Sequence, residues 1–593
     1  MALRTVIATG NYSDGLSVFD GIPQSGDQIY NPGFVLTFDI SPGIVFGSST
    51  QDNDIAIYGE GAGSGFVISA GVTVRTNGSF ITGGLGSYIE LNDDSVLSME
   101  SAYNGNLALG TSTGSGQTPG GALISNATDG HWATIDFVNY ASPISATITT
   151  GVYYSERLYG SYVRINNASQ IVWGHSCVID HWIFNSDCGN FEPGITQNAN
   201  RDASIDNCSF LSTNQTVYVS NAANFGGTGL RSFTGNIVLC EMRYNANGSG
   251  GNYDYSDCLF HGDQFGGTGF KGTFIRCLFN VTSTAVPNFR INSIVDCYFY
   301  VFSGDNPHFF GPQGGYGDVI CDGLIFEHLG TNIRGDCILG DSTATTAWKL
   351  TIKNCICLPD TAGGDSGTLF SLLGNEFITL SAFNNTHNKP GATGETYGGY
   401  AGIVSEFYNN IAYGGEGLMS FEAPAVTGVI ADANYNSAYG ISDPYDLIAN
   451  ADKYQTTPGQ NDLNTNPEFF DSSRDLAKWA VDRCGSTGAT EADQHTDAFE
   501  TLAAINDSEN PVYIADATIA DFFSYIRKGF TPQNLNYLTA GIGGSFEDYI
   551  GAVTPEVFGW QNIGACGNIS QENISGLNGV LKDNIAKINE IDV

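Results

Sequence analysis

The sequence predicts an all-β chain wound as a parallel solenoid, with a small mixed C-terminal region and a terminal amphipathic helix. Three observations predict it. Three strings line up mid-chain: Ser256-Asp257-Cys258-Leu259-Phe260, Ile275-Arg276-Cys277-Leu278-Phe279 and Val295-Asp296-Cys297-Tyr298-Phe299. Their cysteines fall about 20 residues apart, a period at which each repeat is one coil that cannot bury its apolar face alone. Phe225-Gly226-Gly227-Thr228-Gly229-Leu230-Arg231 recurs two coils later as Phe265-Gly266-Gly267-Thr268-Gly269-Phe270-Lys271. Neither copy has the spacing of a phosphate loop, so both read as tight solenoid turns. The composition, with 76 Gly, 18 Pro, 12% aromatic and 14% charged residues, suits strands joined by uncharged polar turns.

In chain order, residues 1–30 read as a capping segment and 31–440 as the solenoid. Its early strands are Phe34–Phe38, Ile55–Tyr58, Val72–Val74 and Tyr88–Leu91. The Gly/Ser/Thr-rich stretch 111–125 reads as a projecting loop. Weaker rungs extend the ladder at Ile179–Phe184, Asp206–Phe210, Cys321–Phe326, Lys353–Cys357 and Tyr408–Tyr413, at wider spacing. Residues 441–567 read as the solenoid's end with two short helices. One is Ser473–Cys484, capped by Ser473; the other spans 519–528, capped by Thr518 and stopped by Gly529. Residues 568–593 form an amphipathic tail, in which Ile574, Leu577, Leu581, Ile585, Ile588 and Ile591 recur at helical steps. An isolated helix this short is marginal in water, so the tail is expected to dock on a partner or bundle with copies of itself, the alternative being packing against its own rod end.

Alternation along a strand assigns the faces. If Cys258, Cys277 and Cys297 point inward, so do Phe260, Phe279 and Phe299. Asp257, Arg276 and Asp296 then form an outward charge ladder, and Leu259, Leu278 and Tyr298 an outward apolar column. That column needs a cover, either a loop or a neighbouring subunit; the subunit is the expectation.

Charge excludes several classes. Lys+Arg number 22 against 61 Asp+Glu, a net charge of -39. That opposes nucleic-acid binding and anionic membrane surfaces. No apolar run is long enough for a membrane span, and residues 1–10 lack the apolar core of a signal peptide. The 13 cysteines fall mostly on rungs and read as buried, reduced packing groups. Cys355-Ile356-Cys357 has no second pair to complete a metal site. The sequons Asn77-Gly78-Ser79 and Asn167-Ala168-Ser169 read as polar turns.

Other strings carry a family likeness. Asn409-Asn410-Ile411-Ala412-Tyr413, Asn466-Pro467-Glu468-Phe469-Phe470-Asp471 followed by Asn562-Ile563-Gly564-Ala565, and Gly10–Asp14 with Gly26-Asp27 and Phe34–Asp39 resemble segments of the right-handed parallel β-helix proteins. This is the pectate-lyase-like superfamily, which includes phage tailspikes. Phe19 stands where that opening motif usually has Trp. Asn578–Asn589 resembles short segments of tailed-phage virion proteins. The resemblance implies a right-handed β-helix, a virion component assembled in the host cytoplasm and exposed outside, and a homotrimer. It also implies surface polysaccharide as a partner, and attachment to other virion proteins through the C-terminal helix.

β-Helices that act on carbohydrate use outward carboxylates. The candidates here are Asp263, Asp305, Asp336 and Asp341, on central coils or their loops. The polygalacturonase set of motifs is absent. Tyr253, Tyr255, Tyr298, Tyr300 and Tyr316 are candidate sugar-stacking residues. His175, His181, His261, His308 and His328 lack partners at local spacing. No cofactor is expected; calcium is the one ion considered, since Gly250–Asp254 weakly resembles a calcium loop. The leading expectation is a structural, adhesive virion protein such as a tailspike, fibre or decoration protein. The alternatives are a polysaccharide depolymerase and a secreted bacterial adhesin.

Overall fold

The computed structural model describes residues 2–441 apart from interruptions, of which 302–317 is the longest, and then residues 459–479 and 519–555 apart from 477 and 546. The chain is a parallel β-solenoid. One coil is Gly65–Ile68, Thr73–Thr76 and Ser79–Thr82. The next is Tyr88–Leu91, Val96–Met99 and Asn106–Leu109. It stacks in parallel register, with Gly65 beside Tyr88, Thr73 beside Val96 and Phe80 beside Leu107. The winding begins within the N-terminal segment, where Leu3–Thr5 pairs with Gln28–Asn31. It runs to Ser437–Tyr439, with a last bridge from Ser437 to Leu463. Ala122–Asn126 is a strand, so the expected loop at 111–125 ends before it. The glycines of both glycine-rich copies lie outside the described residues, and the strands Arg231–Thr234 and Phe270–Ile275 begin at their ends.

A corner separates the first two strands of each coil, and it does not follow simple alternation. In early coils it is a short turn, with Asp94 at φ 53°. In Arg157–Asn166 and Ser176–Phe184 it shrinks to one left-handed residue, Tyr162 (φ 58°) and His181 (φ 54°). The column continues through Arg276, Asp296, Gly323, Asn354, Asn384, Asn409 and Tyr435, all at positive φ. Each non-glycine there costs about 1–2 kcal/mol, which Asn and Asp tolerate best. Phe274 and Cys277 therefore both face inward although three residues apart. Arg276 and Asp296, expected as a charge ladder within a strand, sit at this corner instead, and Asp296 pairs with Arg527 at 2.8 Å.

Directly after the corner an inward column runs up the core: Val163, Trp182, Cys208, Cys277, Cys297, Leu324 and Cys355, all fully buried. The described cysteines are free thiols, and burial pushes Cys355 up to about 12. Phe279 and Phe299 stack with centroids 4.1 Å apart, forming the expected aromatic column. The same sulfur column then becomes an amide ladder. Asn385 Nδ2 donates to Asn410 Oδ1 (2.9 Å), and Asn410 Nδ2 donates to Asn436 Oδ1 (3.0 Å). Asp462 ends it by accepting the Asn436 backbone N–H at 2.9 Å. Amides are tolerated in the core here because each rung satisfies the next.

The outward apolar column is closed by the chain itself. Leu278, Tyr298, Ile325 and Ile356 are buried against Leu476, Trp479, Phe522, Phe523, Ile526 and Phe530. Tyr298 meets the Phe522 ring edge-on at 4.9 Å. The expectation that Leu278 and Tyr298 contact a second subunit is thus overturned: burying such side chains stabilises by about 1.5–3 kcal/mol each, and the C-terminal segment does so within one chain. The side chain of Leu259 lies outside the described residues, as do Ile574, Leu577, Leu581, Ile585 and Ile588.

The covering segment folds back along the rod. Asp475, not Ser473, caps its first helix, since its carboxylate accepts the Lys478 N–H at 2.7 Å. The second helix is Ile519–Gly529. From there the segment is tied to the corner column. Arg527 donates to Asp296 and to the Gly323 carbonyl (3.1 Å), and Ile542 N–H donates to Asn409 Oδ1 at 3.0 Å. Asn409 Nδ2 donates to the Glu547 carbonyl at 2.8 Å, and Asn384 Nδ2 to the Tyr549 carbonyl at 3.0 Å.

Candidate glycan-binding corner

The sequence-based site residues are not brought together by the described structure. Asp263, Asp305, Asp341 and Tyr316 lie outside the described residues. Tyr253, Tyr300 and Asp336 lie on Tyr253–Ser256, Tyr298–Val301 and Asp336–Gly340, but their side chains are outside what is described. Two of the tyrosines are corrections. Tyr255 points into the core and stacks on Phe274, with centroids 4.9 Å apart and planes 3° apart. It pairs in register with Phe274, which faces inward because the corner at Arg276 resets the alternation. Tyr298 is buried beneath the C-terminal helix, so neither can stack on a sugar.

Two outward carboxylates among the described residues of the central coils are engaged. Asp322 pairs with Lys353 at 2.9 Å. Glu406 accepts from Ser381 at 2.6 Å and Lys349 at 3.2 Å. The Ser381 hydroxyl foremost, and then the Lys349 ammonium, hold the Glu406 carboxyl below the usual range. A carboxylate so held is poorly suited to donate a proton as a general acid. Among the described residues no group of three or more His, Cys, Asp or Glu is placed to hold a metal ion.

A different constellation occupies the N-terminal part of the corner column. The strand registers place Asp94, Trp132, Tyr162 and His181 one above another on successive coils. Trp132, Tyr162 and His181 are half-buried, while Asp94 is exposed. Tyr162 and His181 stack at 4.8 Å with planes 20° apart, and Trp132 stands at 87° to Tyr162 at 5.3 Å. The Arg164 guanidinium lies 4.9 Å over the Trp132 ring, a cation–π contact. His131 Nδ1 is 2.8 Å from Asp94 Oδ2. That hydrogen bond, and then the Asp94 charge, raise the His131 pKa. His181 Nδ1 lies 2.8 Å from Asp180 Oδ1, off hydrogen-bond alignment. Tyr162 is shifted up by partial burial, then by the charges of Asp129 and Asp180.

This puts three half-buried aromatic rings, two of them stacked on one another, beside hydroxyl, imidazole, guanidinium and carboxylate groups. Such a mixture suits a pyranose, with its apolar C–H face and hydroxyl rim. Sequence alone gives His181 as one of five histidines without a local partner and does not mark Trp132 or Tyr162. A usable sign was present in His131-Trp132-Ala133, Ser161-Tyr162-Val163 and Asp180-His181-Trp182, each an aromatic ring directly before an inward apolar residue. Their spacing of 30 and then 19 hid the repeat. No protein-family model matches the chain, and neither does any curated protein or solved structure.

Proposed function

We propose that this chain is an adhesive structural protein: a parallel β-solenoid that holds a surface polysaccharide without cleaving it. The observation that carries the reading is the Trp132–Tyr162–His181 column with Arg164 over the indole. The solenoid supplies a rigid backbone for it: Tyr162 and His181 lie within strands of adjacent coils, and Trp132 directly precedes the strand Ala133–Phe137 that pairs with them. The motifs shared with pectate-lyase-like β-helices and the tail resembling phage virion segments support placing the protein on a tailed-phage particle, as a tailspike, fibre or decoration protein. A trimer and attachment through the C-terminal tail belong to the same proposal.

The test is retardation of the full chain in gels containing polysaccharides, with reducing ends measured in parallel. Retardation without release of reducing ends is expected. Release of reducing ends would turn the reading to a depolymerase, and retardation by no polysaccharide would overturn adhesion.

A further inference from the structure

Resting on the adhesive reading, we infer that the corner column takes a polysaccharide without acidic groups, laid along the rod axis with successive sugars on successive coils. The axis follows from register. Trp132, Tyr162 and His181 come from consecutive coils, and their centroids are 5.3 and 4.8 Å apart. Coils in a parallel sheet repeat at about 4.8 Å, a step close to the length of one pyranose ring. A glycan lying across the rod would meet only one of the three rings.

The charge class follows from what surrounds those rings. Among the described residues, the carboxylates at the corner are Asp93, Asp94, Asp129 and Asp180. Against them stand Arg164, already placed over the Trp132 ring, and His131, paired with Asp94. Asp93 accepts from the Thr128 backbone N–H at 2.8 Å and its hydroxyl at 2.9 Å, which fixes the turn carrying Asp129 and His131. The whole chain adds a net charge of -39. A uronate-bearing glycan would bring like charges together at the corner, which disfavours it, while a neutral glycan finds the same carboxylates as hydroxyl acceptors.

The experiment uses the full chain in affinity gels at low ionic strength. The gels hold neutral α- and β-linked homopolysaccharides and, for each, its C6-oxidised polyuronate. Retardation by at least one neutral polymer is expected, with its polyuronate bound about tenfold more weakly or worse. The double variant Asp129→Asn/Asp180→Asn, checked for folding by circular dichroism, should narrow that gap. A polyuronate bound as tightly as its neutral parent overturns the charge class while leaving adhesion intact. Retardation by none of the polymers overturns both.

Discussion

Asn410 shows how a polar side chain is held inside the rod. Its Oδ1 accepts from the backbone N–H and Nδ2 of Asn385, and its own Nδ2 donates to Asn436 Oδ1 and the Ala382 carbonyl. An apolar replacement keeps the branched shape but strands groups on both neighbouring coils. Asn410→Leu should therefore lower stability by about 1–3 kcal/mol for each orphaned group, read as a fall in the denaturant midpoint. An unchanged midpoint would show that the ladder contributes nothing. His131 offers a residue-scale test at the proposed site. Because Asp94 raises its pKa, the charged pair stabilises the fold below the unfolded imidazole pKa, and this is lost as pH rises through the folded value. NMR titration should find His131 above its ordinary value, and Asp94→Asn should return it there. A normal His131 titration in the parent protein would remove the pair from the site.

The covering segment is the element on which the C-terminal half depends. A Cβ on Gly323 would lie 2.3 Å from Asp296 Oδ1 and 2.4 Å from Arg527 Nη2. Its φ of 77° adds a second reason for glycine at that corner. Gly323→Ala should loosen the helix Ile519–Gly529 and speed proteolysis of the covering segment. Arg527→Ala should do the same more mildly, since the ion pair is partly exposed. The two changes together should be less than additive, because they break one contact. Additive effects would separate Gly323 from Arg527 docking. The helix Ile519–Gly529 is legible from its cap-to-glycine pattern, but its destination is not. An outward apolar column at Leu278 and Tyr298 reads the same whether the cover comes from a second copy or from residues more than 200 positions later in this chain.

For the whole molecule, periodicity carried the fold. The rungs at Cys277 and Cys297 placed sulfur and aromatic columns inside, where the structure has them. What the period could not show was the corner. A single left-handed residue such as Arg276 or Asp296 leaves no mark in hydropathy, yet it turns the chain and resets which residues face out. That is why Tyr255 was read as available to a sugar and is in the core, and why Trp132 and Tyr162 were missed. In this proposal the N-terminal part of the corner column, not a carboxylate pair, contacts glycan. The most direct measurement is the dissociation constant for a bound neutral polysaccharide, compared between the parent chain and Trp132→Ala with the fold confirmed intact. Loss of one stacking ring, at about 0.5–1.5 kcal/mol beyond its buried area, predicts weakening on the order of tenfold. Equal affinity in the two proteins would contradict it.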